Sequence, residues 1–191
     1  MTKLILVTGT AGAGKSTILA GLSEMNEDKL KVINLGTEML KIAREKFNII
    51  DRDKVRTLDD ATTISIRNSI MQEIIESKED AIIDTHASVK QGRRYRPGFS
   101  IAELQKIRIS AIIYIDATSE EVLARSMRDS GRKREYESSA EIDEWRTVNL
   151  AIISSFAVSL NIPIYIIYNQ EGKQSQAAAE IDRITKEIIR G

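Results

Sequence analysis

The sequence predicts an α/β fold: a five-stranded parallel sheet with helices on both faces. Three observations carry that expectation. Aliphatic runs alternate with stretches of helical period from one end of the chain to the other. The runs are nearly continuous rather than alternately apolar and polar, as suits strands covered on both sides. The first run passes through a glycine-rich loop straight into a helix, a unit from which parallel sheets are wound.

That unit is Leu4-Ile5-Leu6-Val7-Thr8 followed by Gly9-Thr10-Ala11-Gly12-Ala13-Gly14-Lys15-Ser16-Thr17. Its spacing, G-x-x-x-x-G-K-[ST], is that of a P-loop. Gly9, Gly12 and Gly14 let the backbone curl and come close to phosphate oxygens. The amides then form an anion-binding nest, and the helix opening near Lys15 adds its positive end. Lys15 would reach the β- and γ-phosphates, and the Ser16 hydroxyl would ligate Mg²⁺. Ile18, Leu19 and Leu22 share one face of the following helix. With that context on both sides, phosphate binding is a stronger reading than a bare structural turn.

The remaining elements follow in order. Residues 31–35 form a second strand closed by Gly36, and Thr37 caps a helix carrying Met39, Leu40, Ala43 and Phe47. A charged link, 51–56, leads to a long helix over 59–77 with Ile64, Ile70, Met71, Ile74 and Ile75. Ala81-Ile82-Ile83-Asp84 is a third strand, and 85–99 a loop rich in Gly and Arg. Ser100 and Glu103, Thr118 and Glu121, and Ser138 and Glu141 have capping-box spacing and open three helices. A fourth strand covers 111–115 and a fifth 162–168. A final helix spans 175–190.

Bulk properties narrow the function. The 191 residues make one domain. Lys+Arg and Asp+Glu both number 28, and this balance argues against a chain whose main partner is nucleic acid. The absence of Cys removes disulfides, thiolate catalysis and Cys-based zinc sites together. Met1-Thr2-Lys3 enters the first strand at once, leaving no expected signal or transit peptide, and no apolar run approaches membrane-spanning length. A cytoplasmic location is expected.

In parallel sheets ligands bind at the carboxyl ends of the strands. Asp84 ends the third strand and so belongs on the P-loop's rim, where a carboxylate holds Mg²⁺ through water. His86, the only histidine, reads first as a hydrogen-bonded structural group, because phosphoryl transfer needs little base catalysis. Two arginine clusters stand out: Arg93, Arg94 and Arg96, and Arg125, Arg128, Arg132 and Arg134. A transferring phosphoryl group is stabilised mainly by charge, and guanidinium offers it planar, bidentate donors. The loop holding Arg132 and Arg134 has the makings of a lid. The helix carrying Ile142, Trp145, Val148, Asn149, Ile152, Ile153 and Phe156 reads as core or subunit interface. No Asn-Lys-x-Asp motif and no Asp-x-x-Gly after the third strand occur, which disfavours a GTPase.

The pattern resembles the archaeal-type adenylate kinases over essentially the whole chain. The residues that carry the likeness are Val7-Thr8-Gly9 with the P-loop; Asn34-Leu35-Gly36-Thr37; Asp51-Arg52-Asp53 with Arg56 and Leu58; Asp84-Thr85-His86; Pro97-Gly98; Arg125 with Asp129, Arg132 and Arg134; Asn149; and Asn169-x-Glu171-Gly172. The resemblance implies a P-loop NTPase fold with a short lid at about 129–138 and an NMP-binding segment at about 37–77. It implies reversible phosphoryl transfer from MgATP to AMP giving two ADP, and a homotrimer. By that likeness Gly9 to Thr17 bind ATP, Lys15, Arg125, Arg132 and Arg134 are catalytic, and Thr37, Arg56, His86 and Gly98 bind AMP. Ser16 and, through water, Asp84 hold Mg²⁺, while Asn169 to Gly172 frame the adenine. Ala11 stands where a Pro is common in this family, and Arg96 where an aliphatic residue is usual.

Two rivals remain at this stage. One is a UMP or CMP kinase on the same scaffold. The other is a P-loop ATPase or RNA-associated module, which the zero net charge and lack of clustered aromatic platforms disfavour. The lid reading makes a prediction of its own. Arg132→Ala lowers kcat more than it weakens ground-state ATP binding, because lid arginines act on developing charge; steady-state kinetics beside equilibrium ATP binding measure both.

Overall fold

A computed structural model describes residues 2–25, 30–51, 54–55, 58–128, 136 and 138–191. Arg56, Arg132 and Arg134, and nearly all of the expected lid, lie outside the described residues. The elements are β1 (Leu4–Gly9), α1 (Lys15–Met25), β2 (Lys31–Asn34), α2 (Leu35–Phe47), α3 (Asp60–Ser77), β3 (Ala81–Asp84), β4 (Ser88–Gln91), β5 (Arg94–Pro97), α4 (Ile101–Ile107), β6 (Ile109–Asp116), α5 (Ser119–Arg128), α6 (Ser139–Leu160), β7 (Ile164–Tyr168) and α7 (Gln174–Arg190). The expected five-stranded parallel sheet is present, in the order β2-β3-β1-β6-β7.

Strand alternation divides the apolar residues between two cores. Leu4 and Leu6 of β1, Ile83 of β3, and Ile112 and Tyr114 of β6 face one layer, packed with Ile42 of α2, Ile70 of α3 and Leu104 of α4. Ile5, Val7, Ile82, Ile113 and Ile115 face the other, packed with Ile18 and Leu22 of α1 and Ile181 of α7. Helix α6 serves both: Ile142 and Trp145 enter the second core, Ile153 and Phe156 the first. This double role gives a structural reason for the apolar residues spread along its length.

Three local expectations change. First, Asn34, not Thr37, caps α2. Its Oδ1 accepts the Thr37 amide and hydroxyl, both at 2.9 Å. Second, the expected loop over 85–99 contains a hairpin, β4 paired antiparallel with β5 around Gly92, whose φ is 58°. Its strands, Ser-Val-Lys-Gln and Arg-Tyr-Arg-Pro, are too polar to announce themselves as sheet. Third, Ser138 caps α6 through the Glu141 amide at 3.3 Å, but the Glu141 carboxylate goes to Lys90 Nζ at 3.4 Å. The boxes at Ser100 and Thr118 are complete.

Among the described residues four non-glycines have positive φ, Asn48, Lys78, Arg108 and Asn161, and each closes a helix. A left-handed residue there ends the helix and satisfies its last carbonyls. Among the described residues no helix is long and apolar enough to cross a membrane.

Glu103 has two duties at the start of α4. It closes the box with Ser100 and grips Arg67 of α3 at 2.8 and 3.1 Å, where Arg67 also lies over the Phe99 ring. Ser100→Ala is therefore expected to cost about 1 kcal/mol, read as a lower midpoint in urea denaturation with an unchanged slope.

Candidate active site

The P-loop leaves the carboxyl end of β1, which lies between β3 and β6. The Ala13 amide donates to the Thr10 carbonyl at 3.0 Å, and the Ile18 amide to the Gly14 carbonyl at 3.2 Å. Gly12 and Gly14 have φ of 92° and 87°, values at which a side chain would be strained. A Cβ on Gly14 would also strike the Asn169 amide.

The outside of the loop is held by protein donors. Asn169 Nδ2 donates to the Ala13 carbonyl at 2.6 Å, and Arg125 Nη1 to the same oxygen at 3.3 Å. The Tyr136 hydroxyl donates to the Ala11 carbonyl at 3.3 Å. In a trans peptide the N–H points opposite to the C=O. Turning the Ala11 and Ala13 carbonyls outward therefore turns the Gly12 and Gly14 amides inward, the arrangement an anion needs.

Lys15 and Asp84 meet on the rim, as their strand positions require. Val7 of β1 and Asn34 of β2 are both in register with Asp84. Lys15 Nζ donates to Asp84 Oδ1 in a buried ion pair, and Asn34 Nδ2 donates to Asp84 Oδ2 at 2.5 Å. Ser16 and Thr17 are exposed at the first turn of α1. Among the described residues no three His, Cys, Asp or Glu side chains cluster as a metal cage. A cation here would have one hydroxyl and one carboxylate from the protein, its remaining ligands coming from nucleotide phosphates and water. That hard oxygen set fits Mg²⁺, which retains water and favours such sites.

Arg125 and Arg128 project from α5 onto the turn after β7. Arg125 Nη2 donates to the Asn169 carbonyl at 2.8 Å, and its Nε to Glu171 at 3.2 Å. Arg128 Nη1 donates to Glu171 at 3.0 Å. The bonds from Arg128 and then Arg125 hold the Glu171 carboxyl below the usual range. Arg125 touches the P-loop through Ala13; the bonds of Arg128 run to Glu171 and to the Ala124 carbonyl of its own helix. The Asn169 Oδ1, buried beside the loop, has no hydrogen-bond partner.

On the other flank lie Thr37, His86 and Gly98 of the expected acceptor residues. Thr37 is linked to Asp84 through Asn34. The Gly98 amide donates to the Ala87 carbonyl at 2.7 Å, and a Cβ on Gly98 would collide with the His86 carbonyl. Only glycine lets the end of the hairpin cross so closely over its beginning. Lys90 and Tyr95 face α6, bonded to Glu141 and Glu144. Burial and Glu144 push the Tyr95 phenol up to about 12. Arg94 and Arg96 share the opposite face with Val89 and Gln91.

Several site-forming residues were not singled out in the sequence. Asp116, at the end of β6, receives Arg146 through both oxygens at 2.8 and 3.0 Å to Nε, which raises the Arg146 pKa. Ser88 bonds Asn149 and Trp145, and the Tyr114 hydroxyl bonds that of Thr10, all of them buried. A lone phenol inside an aliphatic strand and a carboxylate at the next strand end were the available signals.

Comparison with known proteins identifies the family of the chain. An AAA domain family model matches residues 8–143. The adenylate kinase of Thermoplasma acidophilum is 34% identical over 179 residues, covering 94% of this chain and 96% of the relative. That of Thermoplasma volcanium is 32% identical over 181 residues, covering 95% and 98%. A shikimate kinase from Acinetobacter baumannii, solved in complex with shikimate, has a TM-score of 0.57 at 16% identity, covering 98% of this chain and 94% of its own. At that identity the likeness speaks for the fold alone. Relatives above 30% identity that align over nearly the full length of both chains make this protein a member of the adenylate kinase family.

Proposed function

We infer that this chain transfers the terminal phosphoryl group of ATP to AMP, reversibly, giving two ADP. The observation that carries the reading is the P-loop with its carbonyls tied outward and Lys15 held at the same rim as Asp84. The family supplies the acceptor, since the curated relatives bear the name adenylate kinase. That name disfavours the UMP/CMP kinase and RNA-associated readings.

In the reaction an AMP phosphate oxygen bonds to the γ-phosphorus as the bond from that phosphorus to the bridging oxygen breaks, and ADP leaves. The nucleophile is already ionised, so no general base is required and charge stabilisation dominates. The P-loop amides of Gly12 and Gly14 hold the donor phosphates. Lys15 moves from Asp84 to the β- and γ-oxygens. Arg125, with Arg132 and Arg134 from the lid at about 129–138, opposes the charge of the moving group. Thr37, Arg56, His86 and Gly98 hold AMP, within or beside the segment 37–77. Mg²⁺, held by Ser16 and through water by Asp84, would neutralise phosphate charge when bound. The reading places the enzyme in the cytoplasm as a homotrimer. Exposed Val158 on α6, and Ile166 and Tyr168 on the edge strand β7, are compatible with such an assembly.

A coupled assay with AMP, CMP, UMP and GMP as acceptors tests the function. Turnover is expected with AMP; fast turnover confined to a pyrimidine monophosphate would overturn it. Lys15→Met is expected to abolish nearly all turnover, and the pairing adds a second effect. It leaves the buried Asp84 carboxylate without its cation, at a cost of about 2 kcal/mol. Adding Asp84→Asn restores thermal stability but not activity, which separates the two roles of Lys15.

A further inference from the structure

Asn34 holds two posts at once. It is the last residue of β2 and the cap of α2, which starts at Leu35 with no loop between. In register it lies beside Asp84, the last residue of β3. Neighbours in register on parallel strands present their side chains to the same face of the sheet. The Asn34 amide thus meets the Asp84 carboxylate, Nδ2 to Oδ2 at 2.5 Å, while its Oδ1 accepts the Thr37 amide and hydroxyl at 2.9 Å each. Lys15 Nζ donates to the other carboxylate oxygen. The bonds are unbroken from the P-loop lysine to the first turn of α2.

The donors fix which atom faces which. A backbone N–H can only donate, so the Asn34 atom at Thr37 is the oxygen. The nitrogen is left for Asp84, and it too can only donate. The carboxylate therefore accepts through both oxygens, from a cation on Oδ1 and from a neutral amide on Oδ2. On the proposed function these two donors part company. Lys15 leaves for the nucleotide phosphates, whereas Asn34 stays anchored by the helix it caps. The torsion that turns an aspartate carboxylate is broad, so a carboxylate released by its lysine and held by nothing else would swing. With Oδ2 held by Asn34, Oδ1 stays aimed at the P-loop rim.

We propose that Asn34 is the positioning residue for Asp84, holding Oδ2 so that Oδ1 serves Lys15 in the empty loop and the water shell of Mg²⁺ in the loaded one. The proposal rests on the phosphoryl-transfer reading above. It gives the cap a second duty. The side chain that aims the carboxylate also starts the helix carrying Thr37, so one amide sets both the donor rim and the segment proposed to hold AMP.

The test separates the cap from the grip on Asp84, in the full chain. Asn34→Ser keeps a capping oxygen but is too short to reach Asp84; Asn34→Ala lacks both. Serine is expected to recover most of the thermal stability that alanine loses, and little of the activity. With ATP and AMP, kcat falls about tenfold in both variants, while the KM for AMP changes less than about threefold in Asn34→Ser. Equilibrium binding gives a readout that needs no turnover. Mg²⁺ tightens ATP binding less in Asn34→Ser, by about three- to tenfold, and ATP affinity without Mg²⁺ stays within about twofold. Asn34→Asp, an equal cap of the same shape, sets two carboxylates against each other and lowers the urea midpoint further than Asn34→Ser does. Adding Asp84→Asn restores the midpoint, because the amide then donates from position 84. An Asn34→Ser enzyme with unchanged kcat, or with an unchanged Mg²⁺ effect on ATP binding, makes Asn34 a cap only and overturns the proposal. Additive stability losses in the Asn34→Asp, Asp84→Asn pair overturn it as well. If Asn34→Asp does not fold, the serine measurements decide alone. Failure of the unmodified chain to make ADP would sink the phosphoryl-transfer reading instead. The Mg²⁺ effect on ATP binding then decides, and equal effects in the unmodified chain and Asn34→Ser overturn the role given to Asn34.

Discussion

An anion-binding loop can offer its amides inward only if its carbonyls are satisfied elsewhere. Buried or half-buried carbonyls without donors are costly, so the donors around Ala11 and Ala13 matter as much as the glycines. They come from distant parts of the chain: Arg125 from α5, Tyr136 from the segment before α6, and Asn169 from the turn after β7. The sheet order makes this meeting possible. With β6 and β7 lying in succession beside β1, the loops at their carboxyl ends converge on one rim. The Asn169 amide, donating to the Asp116 carbonyl at 2.7 Å, joins the last two strand ends there.

Helix α6 is the brace behind that rim. Its first half packs in one core and its second half in the other, and between them Arg146 reaches Asp116 at the end of β6 and Asn149 reaches Ser88 at the start of β4. Buried polar groups of this kind are tolerated when each is bonded, and they then fix one arrangement over its near neighbours. The pairing of Asp116 with Arg146 and with the Ala117 amide satisfies a carboxylate that would otherwise be an isolated buried charge. The apolar residues of α6 hold it to the fold, and these polar residues set its position against β6 and β4.

Much of this was legible in the sequence because it rests on local rules. Continuous aliphatic runs gave the parallel strands, and the glycine spacing with Lys15 and Ser16 gave the phosphate loop. Asp84 was placed at the correct rim because a strand's last residue must point toward the ligand edge. The hairpin at Ser88 to Pro97 was missed since its strands have no apolar face to reveal them. Asn34 was passed over as a cap because its neighbour Thr37 is an equally good cap by type. The buried bond between Tyr114 and Thr10 joins residues 104 positions apart, and no periodicity encodes it. Glu171 and its two arginines were seen as separate features, and only the fold shows that one carboxylate joins them.

The pairing of Lys15 with Asp84 has a consequence for selectivity. The lysine is never an idle cation at an empty loop; it already has an anionic partner. On the proposed function, nucleotide binding is an exchange of one anion for another at this lysine, and its driving force is the difference between them. A singly charged small anion offers the ammonium no more than the carboxylate does, and lacks the additional oxygens that engage the loop amides. A polyphosphate offers both. On that function the carboxylate is an internal competitor, which a small monovalent anion is poorly equipped to displace.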